Sequence, residues 1–225
     1  MHRFHHTLHH RYKTSLALPF FLRGVFEALI MFAVSIVVTT GAATFASHEA
    51  SNSVTDLILS NTPAFKVDDF FVYGAFMFIV YIVLVSLVHP RRIPFTLYSL
   101  GLFYLVRAGF ISLTHIALFP THSVSDFGYT FTQFFFGGSD LFFSGHTGAP
   151  FLFALLYWRE RYLRYIFLAC SVFFAIIVLL GHLHYSIDVA SAYFITYSIY
   201  HLALYLFPLS RQWFVADDPF ERRAI

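Results

Sequence analysis

Residues 70–88 read FFVYGAFMFIVYIVLVSLV, a stretch with no charged side chain. A helix needs about 20 mostly apolar residues to cross a bilayer, and this run has that length. Five further runs resemble it. Ala28–Ala46, Tyr165–Leu180 and Val189–Leu209 are uncharged, Phe95–Phe119 is broken only by Arg107, and Leu141–Trp158 holds a single His. Composition agrees: of 225 residues, 58% are hydrophobic, 21% aromatic and only 12% charged, where soluble domains carry about 25% charge. So many aromatics and so few charges exclude a disordered chain. Cys170 is the only cysteine, which excludes a disulfide scaffold and reads as a small packing residue. A net charge of +2 gives no reason to expect a nucleic-acid partner. The alternating ten-residue segments of a membrane barrel are absent. The expected fold is an all-α membrane protein, a six-transmembrane-helix bundle.

Lys and Arg placement orients it. With a cytoplasmic N-terminus, one side collects Arg3, Arg11, Lys13, Arg23, Arg91, Arg92, Arg159, Arg161, Arg164, Arg211, Arg222 and Arg223, and the other only Lys66. This bias predicts an integral multi-pass protein with both termini cytoplasmic. Residues 1–24 form a basic, His-rich cytoplasmic tail, 25–209 the six-span catalytic domain and 210–225 a second cytoplasmic tail. The first apolar run begins too deep in the chain, and is too long, for a secretory signal peptide. The five His of His2–His10 could bind metal, but a solvated basic tail facing anionic lipid is the favoured reading.

Ionisable groups at membrane depth are functional candidates, because burying charge there costs roughly 2.5 kcal/mol or more. Two clusters stand out. In Asp140-Leu-Phe-Phe-Ser144-Gly145-His146-Thr147, Gly137, Gly138 and Gly145 allow tight turns and Ser144 or Thr147 can cap a helix. The N–H groups and dipole of that helix start favour phosphate. In His182-Leu-His184-Tyr-Ser-Ile-Asp188, His184 and Asp188 share one helix face. A carboxylate on one imidazole nitrogen leaves the other free to attack. Each cluster also has a plain structural explanation, as a helix entry with an interfacial His or a capped His–Asp pair. From His146 to His184 is 38 residues, which suits one span down, a short basic turn and one span back. Two His and an Asp at one membrane face fit phosphoryl transfer through a phosphohistidine. The spacing is not that of a zinc motif, so no metal or other cofactor is expected. Arg107, deep in the third run, needs an acid such as Glu27 or an anionic ligand, with Tyr104 and Thr114 roughly on its helix face. His115 and His201 read as packing or interface groups.

At these motifs the sequence resembles the sphingomyelin synthase-like branch of the lipid phosphate phosphatase superfamily. Asp140-x-x-x-Ser144-Gly145-His146-Thr147 matches that branch's third motif, with Gly138-Ser139-Asp140 in place of Cys-Gly-Asp. His184-Tyr-Ser-Ile-Asp188-Val-Ala-Ser-Ala192-Tyr193-Phe194-Ile-Thr196 matches the fourth almost throughout. Arg91-Arg92 with Tyr104-x-x-Arg107-x6-Thr114 looks like the second, with a longer gap, and the first motif is not found. The phosphatase branch's Lys-x6-Arg-Pro is missing, and Val178 stands where that branch has Arg six residues before the later His.

The resemblance implies a bundle of the lipid phosphate phosphatase type with an exoplasmic (lumenal or periplasmic) active site. It implies His184 as nucleophile, Asp188 as its partner and His146 as acid, then base. Asp140, Ser144, Gly145, Thr147, Arg107, Tyr104 and Tyr185 would bind substrate, with Arg107 replacing a missing phosphate ligand and Asp140 near the headgroup amine. The implied reaction moves phosphocholine or phosphoethanolamine from a glycerophospholipid donor to ceramide or another lipid alcohol, releasing diacylglycerol. Water as acceptor would give a phospholipase C or phosphatase instead. A channel or transporter is the alternative of another class, but its inverted repeats and broken mid-depth helices are not evident. A homo-oligomer stays open.

Overall fold

A computed structural model describes residues 2–122 and 142–217. Its helices are α1 (His2–Leu16), α2 (Phe21–His48), α3 (Asp68–Val88), α4 (Ile93–Leu113), α5 (Gly145–Leu156), α6 (Arg161–Leu180), α7 (Ser186–Leu206) and α8 (Pro208–Ala216), with short 3-10 turns at Leu59–Asn61 and Pro90–Arg92. No strand occurs among the described residues. Pro94 and Pro208 open α4 and α8, in the first turn, where a missing N–H costs no helical hydrogen bond.

Among the described residues five helices are long and apolar enough to cross a membrane: α2, α3, α4 with the turn before it, α6 and α7. Their outer faces expose Phe26, Val37, Phe76, Met77 and Leu84, among others. Contiguous apolar surface of this extent is a liability in water and the normal surface in lipid. Long apolar helices with such faces fit an integral membrane protein.

The fourth apolar run behaves differently. Its described part forms only α5, 12 residues or about 18 Å, against about 30 Å of hydrocarbon. Residues 123–141, including Asp140 and the two glycines before it, lie outside the described residues. Helix α5 is buried on almost every side, from Thr147 to Pro150 and from Leu152 to Leu156. Phe103 of α4, Phe167 of α6 and Ala192 and Ile199 of α7 pack around it. The shortest central helix is therefore the post on which the others lean.

One expectation is corrected. The third run leaves the helix at Leu113, and Thr114 is extended at φ −136° and ψ 112°, so Thr114 is not on Arg107's helix face. The N-terminal tail contains a helix, α1, tied down by Arg11 Nη1 donating to Val88 O (2.8 Å) and Tyr12 Oη donating to Leu87 O (3.0 Å). The chain turns from α1 into α2 through Phe20, at φ 61°.

Helices α1 and α8 meet at one end of the bundle, around Arg92. This guanidinium is 1% exposed, pairs with Glu160 and with Asp217 and lies over the Tyr157 and Phe214 rings at 5.2 and 5.1 Å. His89 Nδ1 stands 2.7 Å from Asp217 Oδ2. Burial pushes the Asp217 carboxyl up, but His89, Arg92 and Arg11 together hold it below the ordinary carboxylate value. A depressed carboxylate contributes stability above its unfolded pKa and loses it as pH falls through the folded one. Thermal unfolding in detergent should therefore be insensitive to Asp217 between pH 5 and 7 (about the neutral plateau) and fall below about pH 4. Arg92→Ala, which takes a buried cation from Asp217 and Glu160 but leaves His89 on Asp217, should cost about 1–3 kcal/mol. Arg23→Ala, which breaks the exposed Arg23–Glu27 pair, should leave the melt unchanged.

Candidate active site

At the opposite end, α5 starts from a satisfied cap. Ser144 is its N-cap, accepting a long bond from Thr147 N–H (3.4 Å) and another from Thr147 Oγ1 (3.3 Å). Both side chains are fully buried, so Ser144 and Thr147 build the helix start rather than present hydroxyls outward. The first-turn N–H groups have no carbonyl within the helix, and the positive end of its dipole lies there.

Arg107 reaches this point from α4. It is 4% exposed, and its Nε donates to Phe143 O at 3.0 Å. A Cβ on Gly145 would stand 3.1 Å from Arg107 Nε and 3.4 Å from Cζ. Glycine at 145 thus lets the guanidinium lie against the first turn of α5. A fixed cation and a helix N-terminus at one spot make a setting for an anion.

The second cluster starts α7. His184 and Asp188 are both buried, with His184 Nδ1 3.6 Å from Asp188 Oδ2, an ion-pair distance longer than a hydrogen bond. Asp188 Oδ2 also accepts the N–H of Tyr185 at 2.9 Å, the returning half of a capping box. The next N–H, of Ser186, donates to Asp56 at 2.8 Å. Carboxylates thus occupy the positive end of α7, whereas Arg107 stands at that of α5.

The clusters meet directly. Ser144 N–H donates to the carbonyl of Asp188 at 3.1 Å, and the His146 and His184 rings face each other with centroids 6.5 Å apart and planes at 52°. Phe71 of α3 lies 4.4 Å from the His146 ring and Phe174 of α6 lies 6.2 Å away. Phe174 is six residues before the end of α6, so its backbone lies roughly 9 Å inside that end of the helix. Among the described residues no three His, Cys, Asp or Glu side chains converge as metal ligands.

The remaining candidates fall elsewhere. The Tyr104 ring packs on Phe32 and Phe103. Tyr185 is buried, its hydroxyl donating to Ala117 O (2.8 Å) and accepting from Val54 N–H (3.3 Å), so it ties loops together. His115 packs edge-on to Phe45, and His201 lies against Tyr197, as packing groups do. Asp140 is outside the described residues. Sequence reasoning missed Phe71, which sits in an apolar run with nothing to mark it.

Residues 137–205, which contain both clusters, match the family model described as PAP2 superfamily C-terminal. The match supports the lipid phosphate phosphatase superfamily and an enzyme of lipid phosphatase or related phosphotransferase type. It does not separate the sphingomyelin synthase-like branch from its neighbours. No curated protein and no solved structure matches the chain.

Glycines test this packing. A Cβ on Gly148 would stand 2.8 Å from Thr196 Oγ1 and 2.9 Å from a Phe103 ring carbon, where α4, α5 and α7 touch. Gly148→Ala should destabilise the protein by about 1–3 kcal/mol, read as a lower melting temperature in detergent. Gly145→Ala should lower it less, since only Arg107 must shift by a few tenths of an ångström.

Proposed function

We propose that the protein is a membrane lipid phosphotransferase. It moves a phospho-alcohol headgroup, phosphocholine or phosphoethanolamine, from a glycerophospholipid to ceramide or a similar lipid alcohol. The observation that carries this reading is the pair of facing imidazoles, with Asp188 behind one of them and Arg107 beside the other's helix. Attack needs about 3–3.5 Å between nucleophile and phosphorus, and proton transfer needs about 2.6–3.2 Å to the leaving oxygen. With ring centroids 6.5 Å apart, the two imidazoles are near enough for one phosphoryl group lying beside them to reach both.

Asp188 stands at Nδ1 of His184, and in this reading Nε2 is the atom that attacks phosphorus. As the N–P bond forms, the P–O bond to diacylglycerol breaks, and that oxygen takes a proton from His146. Diacylglycerol departs and His146 is left as a base. It then removes the proton from the acceptor hydroxyl, whose oxygen attacks phosphorus and breaks the N–P bond. Arg107 and the N-terminus of α5 hold the phosphoryl oxygens, where charge accumulates. Asp140 is assigned to the headgroup amine in this reading, and Gly145 keeps the guanidinium close.

In this reading the chain crosses the membrane six times, with α5 inside the fourth crossing. The basic end is cytoplasmic and the His146–His184 end exoplasmic, and a tag after Ile225 should be accessible only from the cytoplasm.

Purified protein in mixed phospholipids, with and without ceramide, should give diacylglycerol together with a ceramide-linked headgroup product by mass. Free phospho-alcohol or free phosphate without an acceptor would instead define a hydrolase. No product from any phospholipid would overturn the enzymatic reading. His184→Ala and Asp188→Ala should abolish turnover in folded protein. His146→Ala should lower it about 10²–10⁴-fold; where the loss falls mainly on the second step, acid-labile label from a headgroup-labelled donor accumulates on the protein.

A further inference from the structure

Asp56 belongs to neither motif. It lies in the connection between α2 and α3, 130 residues from its partner in α7, and is 8% exposed. Its carboxylate receives four donors. Oδ1 accepts the N–H groups of Ile58 (2.8 Å) and Leu59 (3.0 Å), which start the Leu59–Asn61 turn. Oδ2 accepts both the N–H and the hydroxyl of Ser186, each at 2.8 Å. One carboxylate therefore caps two helical starts, one in its own loop and one in the helix that carries Asp188.

We propose that Asp56 is a positioning residue for phosphoryl transfer: it clamps the first residue of α7 to the α2–α3 connection and so holds His184 and Asp188 in place opposite His146. The proposal rests on the roles of His184 and Asp188 given above. Ser186 lies midway between them. Tyr185 N–H aims the Asp188 carboxylate, and the peptide immediately after Tyr185 is the one fixed by Asp56. The neighbouring ties hold other atoms. Tyr185 is gripped through its hydroxyl, Phe65 N–H donates to Leu180 O at 2.8 Å, and His182 Nδ1 lies 2.6 Å from Thr121 Oγ1. Asp56 takes hold of the backbone of α7 itself.

The chemistry calls for an ionised carboxylate. All four partners are donors, so both oxygens must accept, and an amide in its place would turn an NH₂ toward one of the pairs. Burial pushes the Asp56 carboxyl up, but the donors from Leu59, Ser186 and Ile58 outweigh it and hold it below the ordinary range. The negative charge also sits on the positive end of α7. Both effects keep the carboxylate charged at neutral pH and the helix start fixed.

The test uses purified full-length protein in mixed micelles. Enzyme is in excess over a labelled phospholipid, and diacylglycerol release is followed in a single turnover. At saturating enzyme the rate constant reports the geometry of the folded molecules and does not depend on how many are folded. Asp56→Asn and Asp56→Ala should lower this rate constant about 10²-fold, as expected for a misplacement near 1 Å. Asp56→Glu should recover part of it. Ser186→Ala, which keeps the N–H but loses the hydroxyl, should lower it less, by about tenfold. A purely structural role would leave the rate constant at the wild-type value and only raise the amount of enzyme needed for saturation; that result overturns the proposal. If the Asp56 variants do not fold, Ser186→Ala decides: a slower rate constant supports the clamp and an unchanged one overturns it. Wild-type protein that releases no diacylglycerol would overturn the enzymatic reading, and this proposal with it. Normal wild-type release with unaltered variants would overturn this proposal alone.

Discussion

The hydrogen bond from Ser144 N–H to the carbonyl of Asp188 joins two helix starts that the chain separates by a full turn through the bundle. One is the start of α5, whose first residues bear His146; the other is the start of α7, which follows His184. Because both starts are held by caps, each has little freedom to tilt. Joining them places the two imidazoles opposite each other without any direct bond between the rings. Arg107 enters the same junction through Phe143 O, immediately before Ser144. A backbone junction therefore sets the geometry of the pair of imidazoles.

Around that junction the packing follows from the lack of polar surface. Long apolar helices in lipid gain nothing from hydrophobic contact with one another, so they associate through close fit and small residues. Gly148 against Thr196 and Phe103, and Gly101 against Met31 and Phe32, are such fits. Polar ties are concentrated at the two ends. Arg92, Glu160, Asp217 and His89 hold the basic end, and the loops over the α6–α7 turn hold the other.

Much of this architecture was legible in the sequence for a physical reason. Apolar runs near twenty residues have few options but helices, and a His followed four residues later by Asp must share a helical face. The return of His146 and His184 to one end followed from chain length alone. What stayed hidden involved partners distant in sequence. Nothing local marks Asp56 among the other acids of its loop, because its partner Ser186 lies in another helix. The apolar tail of the third run, from Thr114 onward, looked helical by composition, but it leaves the helix and runs beside the loops. The same composition concealed the shortness of α5, since Phe142 and Phe143 are as apolar as a helix while lying just before one.

That short central helix changes the solvent around any group that reaches His146. Its first turn lies level with the first turn of α7, where Ser144 N–H meets the Asp188 carbonyl, and the His146 ring there rests beside Phe71 and Phe174. A phosphate brought there must shed much of its hydration, and its charge then feels Arg107 and the helix dipole through a medium of lower dielectric.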